Sequence, residues 1–303
     1  MRQIGYDAGV KLDWAGAVDA LRKGHLRPKA EIGDLFLGPS RGTSLTRAAF
    51  IDGFGYGVKS VTVCTGNAAR GLPTVQGAML VFAPETGELR AVIDARLVTE
   101  FKTAADSVLG ASLLARPDSR TLLIVGAGTV AASLVRAYPA IFPSLQRILV
   151  WARRPAQAEE FAAEHSGNIA VEAATDLEDA ARDADIISTA TLSERPVLLG
   201  DVVSPGTHVD LIGAFRKDMR EADDALLTKA RLYVDSRDTT IGHIGEIAIP
   251  MAAGVIGEKD IRGDLYDLVA ACPERAPDDV TVFKNGGGAH LDLMIADWIT
   301  RSA

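Results

Sequence analysis

Residues Thr121 to Arg154, TLLIVGAGTVAASLVRAYPAIFPSLQRILVWARR, read as strand, glycine turn, helix, strand and a closing basic pair. Thr121 to Val125 is a short apolar run rich in branched side chains, the pattern of a strand covered on both faces by helices. Gly126 and Gly128 follow at once. The first suits a tight turn, the second lets backbone approach a pyrophosphate, and Ala131 is small enough for the next helix to lie close to the strand. The start of that helix, with Ala127, Thr129 and Val130, offers free N–H groups to a phosphate. The stretch therefore predicts a dinucleotide cradle. A purely structural glycine turn is the plainer alternative, and the flanking strands and helix argue against it.

The end of the second strand bears on which dinucleotide is bound. Folds that prefer NAD place an Asp or Glu there, about 20 residues beyond the glycines, to hold the ribose hydroxyls. This chain has Trp151-Ala152-Arg153-Arg154 instead. Two guanidinium groups in place of an acid favour pairing with a 2′-phosphate, and hence NADP, with NAD as the alternative.

The 303 residues are enough for roughly two domains, and 48% hydrophobic with 24% charged residues is an ordinary globular composition. A formal net charge of −8 argues against a nucleic-acid or anionic-membrane partner. No apolar run approaches the roughly 20 residues of a membrane span, and the early Asp7 and Asp13 do not fit a signal peptide, so a cytoplasmic location is expected. Cys64 and Cys272 have neither metal-ligand spacing nor the number needed for a disulfide framework, and no metal is expected.

Periodicity divides the chain into two kinds of segment. Asp13 to Lys23 predicts a helix capped by Asp13 and ended by Gly24. After a polar loop come short strands at Ala48 to Ile51, Gly57 to Val63, Thr74 to Phe82 and Leu89 to Ile93, with a turn at Pro84 to Leu89. This is an α+β segment with a largely antiparallel sheet. Val98 to Ala115 predicts a long helix, broken by Arg116-Pro117-Asp118. From Thr121 onward strand and helix alternate, with strands near 148–151, 169–172, 186–190, 208–212, 232–235 and 280–284. That alternation predicts a Rossmann-type, doubly wound parallel sheet. The fold class is thus α/β with a second, α+β domain. The last strand and helix have no evident partner in a finished nucleotide domain and are expected to return to the first segment.

Outside the cradle, Lys59 stands mid-strand in GVKSV, where a lysine ordinarily points to solvent. Lys102 begins a helix, against the helix dipole, and so needs either a substrate carboxylate or an ion pair with Asp106. Gly286-Gly287-Gly288 costs backbone entropy that a plain turn does not require, which suggests backbone close to a ligand. His290 is either a general acid or a surface residue, and Asp292 either functional or a simple cap or salt bridge.

At these residues the chain resembles the ornithine cyclodeaminase and mu-crystallin family. The markers are GVKSVTV, GLPTVQG, FAPETGELRAVID, KTAADSVLGASLLARPDSRTLLIVGAG, STATLSERPVL, PGTHVDLIGAF and TVFKNGGGAHLDL, and they span nearly the whole length. The resemblance implies a homodimer. It implies a substrate and dimerisation domain built from both ends, residues 1–116 and 286–303, and a dinucleotide domain at 117–285. It also implies chemistry on an imine beside a carboxylate, with hydride exchanged at the imine carbon by a nicotinamide.

By the same resemblance Lys59 is the active-site lysine, Gln76 a substrate-side glutamine, Lys102 the carboxylate-binding cation and Asp292 part of the catalytic set. Thr189, Ala190, Thr191, Gly213 and Gly287 join Gly126, Gly128 and the arginines as cofactor-binding positions. Two departures matter. Lys102 replaces an arginine, which keeps the charge but loses the bidentate fork. Gly213-Ala214 replaces the Gly-Asp pair that supplies cyclodeaminases with a carboxylate, while Asp218 and Glu221 belong to a separate segment. The expected activity is therefore NAD(P)H-dependent reduction of a small imino acid such as pyrroline-2-carboxylate or piperideine-2-carboxylate. Ornithine cyclodeamination and non-catalytic, crystallin-like binding are the alternatives. Arg41 and Arg47 are candidates for a further carboxylate contact.

Overall fold

The computed structural model describes residues 1–39 and 42–303, so Arg41 lies outside the described residues. In chain order the elements begin β1 (Arg2–Ile4), α1 (Trp14–His25), β2 (Glu31–Leu37), β3 (Thr43–Ile51), β4 (Gly55–Val63), β5 (Val75–Phe82), β6 (Leu89–Asp94) and α2 (Ala95–Leu114). They continue with β7 (Thr121–Val125), α3 (Thr129–Ile141), β8 (Arg147–Trp151), α4 (Pro155–His165), β9 (Ala170–Ala173), α5 (Leu177–Asp183), β10 (Ile186–Thr189) and β11 (His208–Leu211). The last are α6 (Asp224–Lys229), β12 (Arg231–Val234), α7 (Arg237–Thr240), α8 (Gly245–Ala252), β13 (Ile261–Gly263), α9 (Leu265–Ala270), β14 (Thr281–Lys284) and α10 (Ala289–Ser302). Two compact units result, Met1–Ala105 with Gly288–Ala303, and Asp106–Gly287. The divisions fall inside α2, ahead of the Arg116-Pro117 break, and within the glycine run. Among the described residues no helix is long and apolar enough to cross a membrane.

The first unit is a six-stranded sheet in the order β1-β6-β5-β4-β3-β2, antiparallel except where β1 joins β6. Along β4 the residues Gly55, Gly57, Lys59 and Val61 are buried while Tyr56, Ser60 and Thr62 are exposed, the period-two signature of a sheet covered on one face. Helix α10 covers that face, with Leu293 against Gly57. Asp13 caps α1 as expected, accepting from the Gly16 N–H at 2.6 Å. Gly24 does not end that helix. It is buried within the last turn, and a Cβ there would lie 2.3 Å from Sδ of Met294, so glycine is required by the close approach of α1 and α10. Strand β2 replaces part of the expected polar loop. All seven of its residues are exposed, so EIGDLFL shows none of the alternation by which a half-buried strand is read.

The second unit is an eight-stranded, wholly parallel sheet in the order β13-β12-β14-β11-β10-β7-β8-β9. Order runs outward in opposite directions from β7 and β10, which makes their carboxyl ends the switch point where such sheets bind ligands. Strand β14 corrects the expectation that the last strand returns to the first segment. Its four residues are all buried, and it lies between β11 and β12. Only the chain from Gly288 onward rejoins the first unit.

Replacing Gly24 with Ala gains about 1 kcal/mol of helix propensity but forces about 1–3 kcal/mol of overpacking against Met294. Denaturant unfolding should show a net loss of up to about 2 kcal/mol. An increase in stability would refute the packing account of this glycine.

Candidate active site

In the second unit the glycine turn follows β7 directly. Gly126 has φ of +122°, a conformation that disfavours other residues, and a Cβ there would lie 2.6 Å from the Ala190 carbonyl oxygen. Gly128, by contrast, faces open space, and it begins α3 with no side chain capping the first turn. The helix therefore presents uncapped N–H groups over a surface without side chains, the requirement for an approaching pyrophosphate. Thr189, opposite Val125 in register, is fully buried, and its Oγ1 has no hydrogen-bond partner among the described residues. These features fit a dinucleotide.

Arg153 and Arg154 are both exposed just beyond β8. An Arg154 guanidinium N–H donates to Gln157 Oε1 at 3.1 Å, and Gln157 Nε2 donates to the Ala127 carbonyl at 3.2 Å. Gln157, which the sequence did not mark, thus ties the basic pair to the glycine turn.

Charged side chains buried beyond the strand ends were also missed. The Glu221 carboxylate accepts from the Thr191 N–H (2.7 Å), the Thr191 hydroxyl (2.8 Å) and the Gly213 N–H (2.6 Å). Glu246 accepts from the N–H groups of Glu221 (2.7 Å) and Ala222 (3.0 Å). Lys284 is fully buried and donates to the carbonyls of Leu211 and Asn285, both at 2.8 Å. Burial pulls its ammonium below the ordinary lysine range, while Glu246, Glu221, Asp235 and Asp210 act in the other direction. Asp235 accepts from the Gly286 N–H at 2.8 Å and from the Gly287 N–H. The glycine run is therefore closed on a buried carboxylate of its own chain. Gly287 is itself buried, with φ of +72°.

In the first unit Lys59 does not reach solvent. It is 6% exposed, and its Nζ donates to Oδ1 of Asp292, itself 1% exposed, at 2.6 Å. Oδ2 of Asp292 has no hydrogen-bond partner among the described residues. Burial lowers the Lys59 pKa, Asp292 opposes this, and the charges of Lys102 and Arg47 lower it further. Lys102 is buried. Arg47 is held by Asp34 at 2.8 Å. His290 is neither a surface residue nor a ready acid. It is 2% exposed, packed edge-on to His25 at 5.8 Å, and burial with the nearby His25, Lys102, Arg47 and Lys29 holds it well below the usual histidine range. The cluster carries more cations than anions, which suits a carboxylate-bearing ligand.

Gln76 does not join this cluster. The register pairs it with Thr62, three residues from Lys59 on β4, so it stands on the opposite face of the sheet. Its exposed amide lies 3.4 Å from the Pro73 carbonyl.

A parallel sheet with a glycine-turn cradle in one unit, and a buried lysine–aspartate pair in the other, define a nicotinamide-dependent class of α/β proteins. Residues 25–303 match the model of the ornithine cyclodeaminase/mu-crystallin family, and the chain belongs to that family. It is 62% identical over 298 residues to a Delta(1)-pyrroline-2-carboxylate reductase of Paracoccus denitrificans, covering 97% of this chain and 94% of that protein. Among solved structures, the Thermococcus litoralis Delta(1)-pyrroline-2-carboxylate reductase in complex with NADH and L-proline matches with a TM-score of 0.93 at 27% identity, covering 100% of this chain and 97% of that one. An archaeal alanine dehydrogenase dimer with bound NAD matches with a TM-score of 0.91 at 27% identity, covering 100% and 96%.

Below the cradle, Asp210 accepts from the Ser188 hydroxyl at 2.6 Å, and burial raises its pKa to about 7. Between its ordinary value of 3.8 and about 7 the folded chain holds a proton that the unfolded chain lacks, so stability falls as pH rises through that window. Asp210→Asn cannot titrate, and its stability relative to the parent should rise by about 2–3 kcal/mol between about pH 5 and about pH 8. Parallel unfolding curves across that range would contradict the assignment.

Proposed function

We propose that this chain is an NAD(P)H-dependent reductase of small imino acids, cyclic ones such as pyrroline-2-carboxylate or piperideine-2-carboxylate foremost. The observation that carries the proposal is the buried Lys59–Asp292 pair among further cations, in a family member whose second unit holds an open glycine cradle. Its similarity to proteins named for pyrroline-2-carboxylate reduction supports the substrate class.

Reduction adds hydride to the imine carbon, moves the π pair to nitrogen and leaves nitrogen to take a proton. A bound nicotinamide dinucleotide supplies the hydride. The first unit does the rest. Lys102 holds the substrate carboxylate by charge, without the directional fork of an arginine. Lys59 gives its proton to the imine nitrogen, and its lowered pKa makes that transfer easier. Asp292 fixes the lysine through Oδ1 and offers Oδ2 to the N–H of the product. Cyclodeamination is disfavoured because Ala214, fully buried, occupies the place of the required carboxylate.

Arg153 and Arg154 select the 2′-phosphate of NADP, with NAD accepted less well. The exposed apolar residues Leu35, Leu37 and Tyr56 on the sheet face opposite Lys59 support a homodimer, measurable by sedimentation.

Purified protein should oxidise NADPH with pyrroline-2-carboxylate or piperideine-2-carboxylate. No turnover across a panel of cyclic and linear imino acids rejects the reductase, and cofactor binding without turnover favours a binding protein. Lys59→Gln, which can still donate to Asp292, should lower kcat by about 10²–10⁴-fold while NADPH binding is unchanged. A strong preference for NADH in the parent would overturn the role given to the basic pair.

A further inference from the structure

Glu221 lies in a segment that the imine chemistry does not use, yet it is fully buried and its carboxylate is completely engaged. What it engages is specific. Oε1 takes both donors of Thr191, just past the end of β10, and Oε2 takes the N–H of Gly213, just past the end of β11. No room is left between these segments, since a Cβ on Gly213 would lie 1.9 Å from the Thr191 carbonyl oxygen. The Thr191 end continues from Ala190, whose carbonyl closes over Gly126, and from Thr189, whose hydroxyl is the orphaned donor beside the cradle. Displacing this segment therefore displaces one wall of the cradle.

Glu221 is itself held from behind. Its N–H and that of Ala222 are bound by Glu246, and its carbonyl accepts from the N–H groups of Val197 (2.8 Å) and Leu198 (3.0 Å). Lys284 supplies the buried positive charge that both glutamates need. The carboxylate is thus a fixed anchor with donors from two loops drawn onto it.

We infer that Glu221 is a positioning residue for dinucleotide binding, clamping the 189–191 loop against Gly213 so that the cradle is formed before the cofactor arrives. The inference rests on the dinucleotide reading of the cradle. Both carboxylate oxygens of Glu221 are spent on Thr191 and Gly213, so its part is to place the loops. A preformed wall costs nothing to order at binding, so its loss should appear in cofactor affinity rather than in the chemical step.

The test uses the full-length protein, with NADPH binding titrated by fluorescence in the absence of imino acid and kinetics measured with it. Glu221→Gln places an amide N–H against a loop N–H. It should weaken NADPH about ten- to a hundred-fold, while the KM for the imino acid and kcat at saturating NADPH stay within about two-fold. Glu221→Asp keeps the charge but shortens its reach to both loops, and should give a smaller loss in the same direction, so it carries the test if Glu221→Gln does not fold. NADPH affinity equal to the parent's in a folded variant overturns the inference. So does an equal loss in kcat and in both KM values, which marks a merely structural role. A parent protein that binds no dinucleotide overturns the inference together with the function on which it rests.

Discussion

Desolvation of the Lys59–Asp292 pair is the constraint on which the first unit depends. Two opposite charges lie 2.6 Å apart with almost no solvent, and they are 233 residues apart in sequence. Leaving either partner alone in that interior costs about 3–5 kcal/mol, so each charge is tolerated there only while the other is in place. The same burial depresses the lysine pKa, which ordinary packing would not do. One interaction thus sets both the architecture and the readiness of a proton.

The second unit meets a similar problem with a different arrangement. Its strand ends must hold loops open to a phosphate-bearing ligand, and open loops have little apolar surface to pack. Buried carboxylates take that role. Glu221, Glu246 and Asp235 each collect backbone N–H groups from segments that would otherwise be free, and Lys284 offsets their charge. The glycines of the family motifs make this possible by the space they leave. At Gly213 the backbone of Thr191 comes too close for any side chain.

What could be read from the sequence was local. The cradle from Thr121 to Arg154 carries its pattern within one strand–turn–helix–strand unit, and the alternation of the parallel sheet follows from periodicity alone. Lys59 stood out because a cation in mid-strand is locally unfavourable; Lys102 reads as a helix start, whereas α2 begins at Ala95 and leaves it about two turns from that end. The rest depended on distant partners. Strand β14 belongs in the sheet interior, but nothing in its own four residues says between which strands. Gln76 was placed beside Lys59 by motif, whereas register decides which face it occupies. Glu221, Glu246 and Asp235 resemble surface acids in sequence, because no local pattern distinguishes a solvated carboxylate from one that gathers loop N–H groups in the interior.

The position of β14 also bears on how the chain is made. Strands β11 and β12 are finished by Val234, yet they cannot close the sheet until Thr281–Lys284 arrives between them. Helix α10, which covers Lys59, follows immediately. During synthesis from the N-terminus the parallel sheet and the cover over Lys59 therefore both wait for the segment that begins at Thr281. Lys284 and Asp292, the buried partners of the glutamates and of Lys59, come within that one segment.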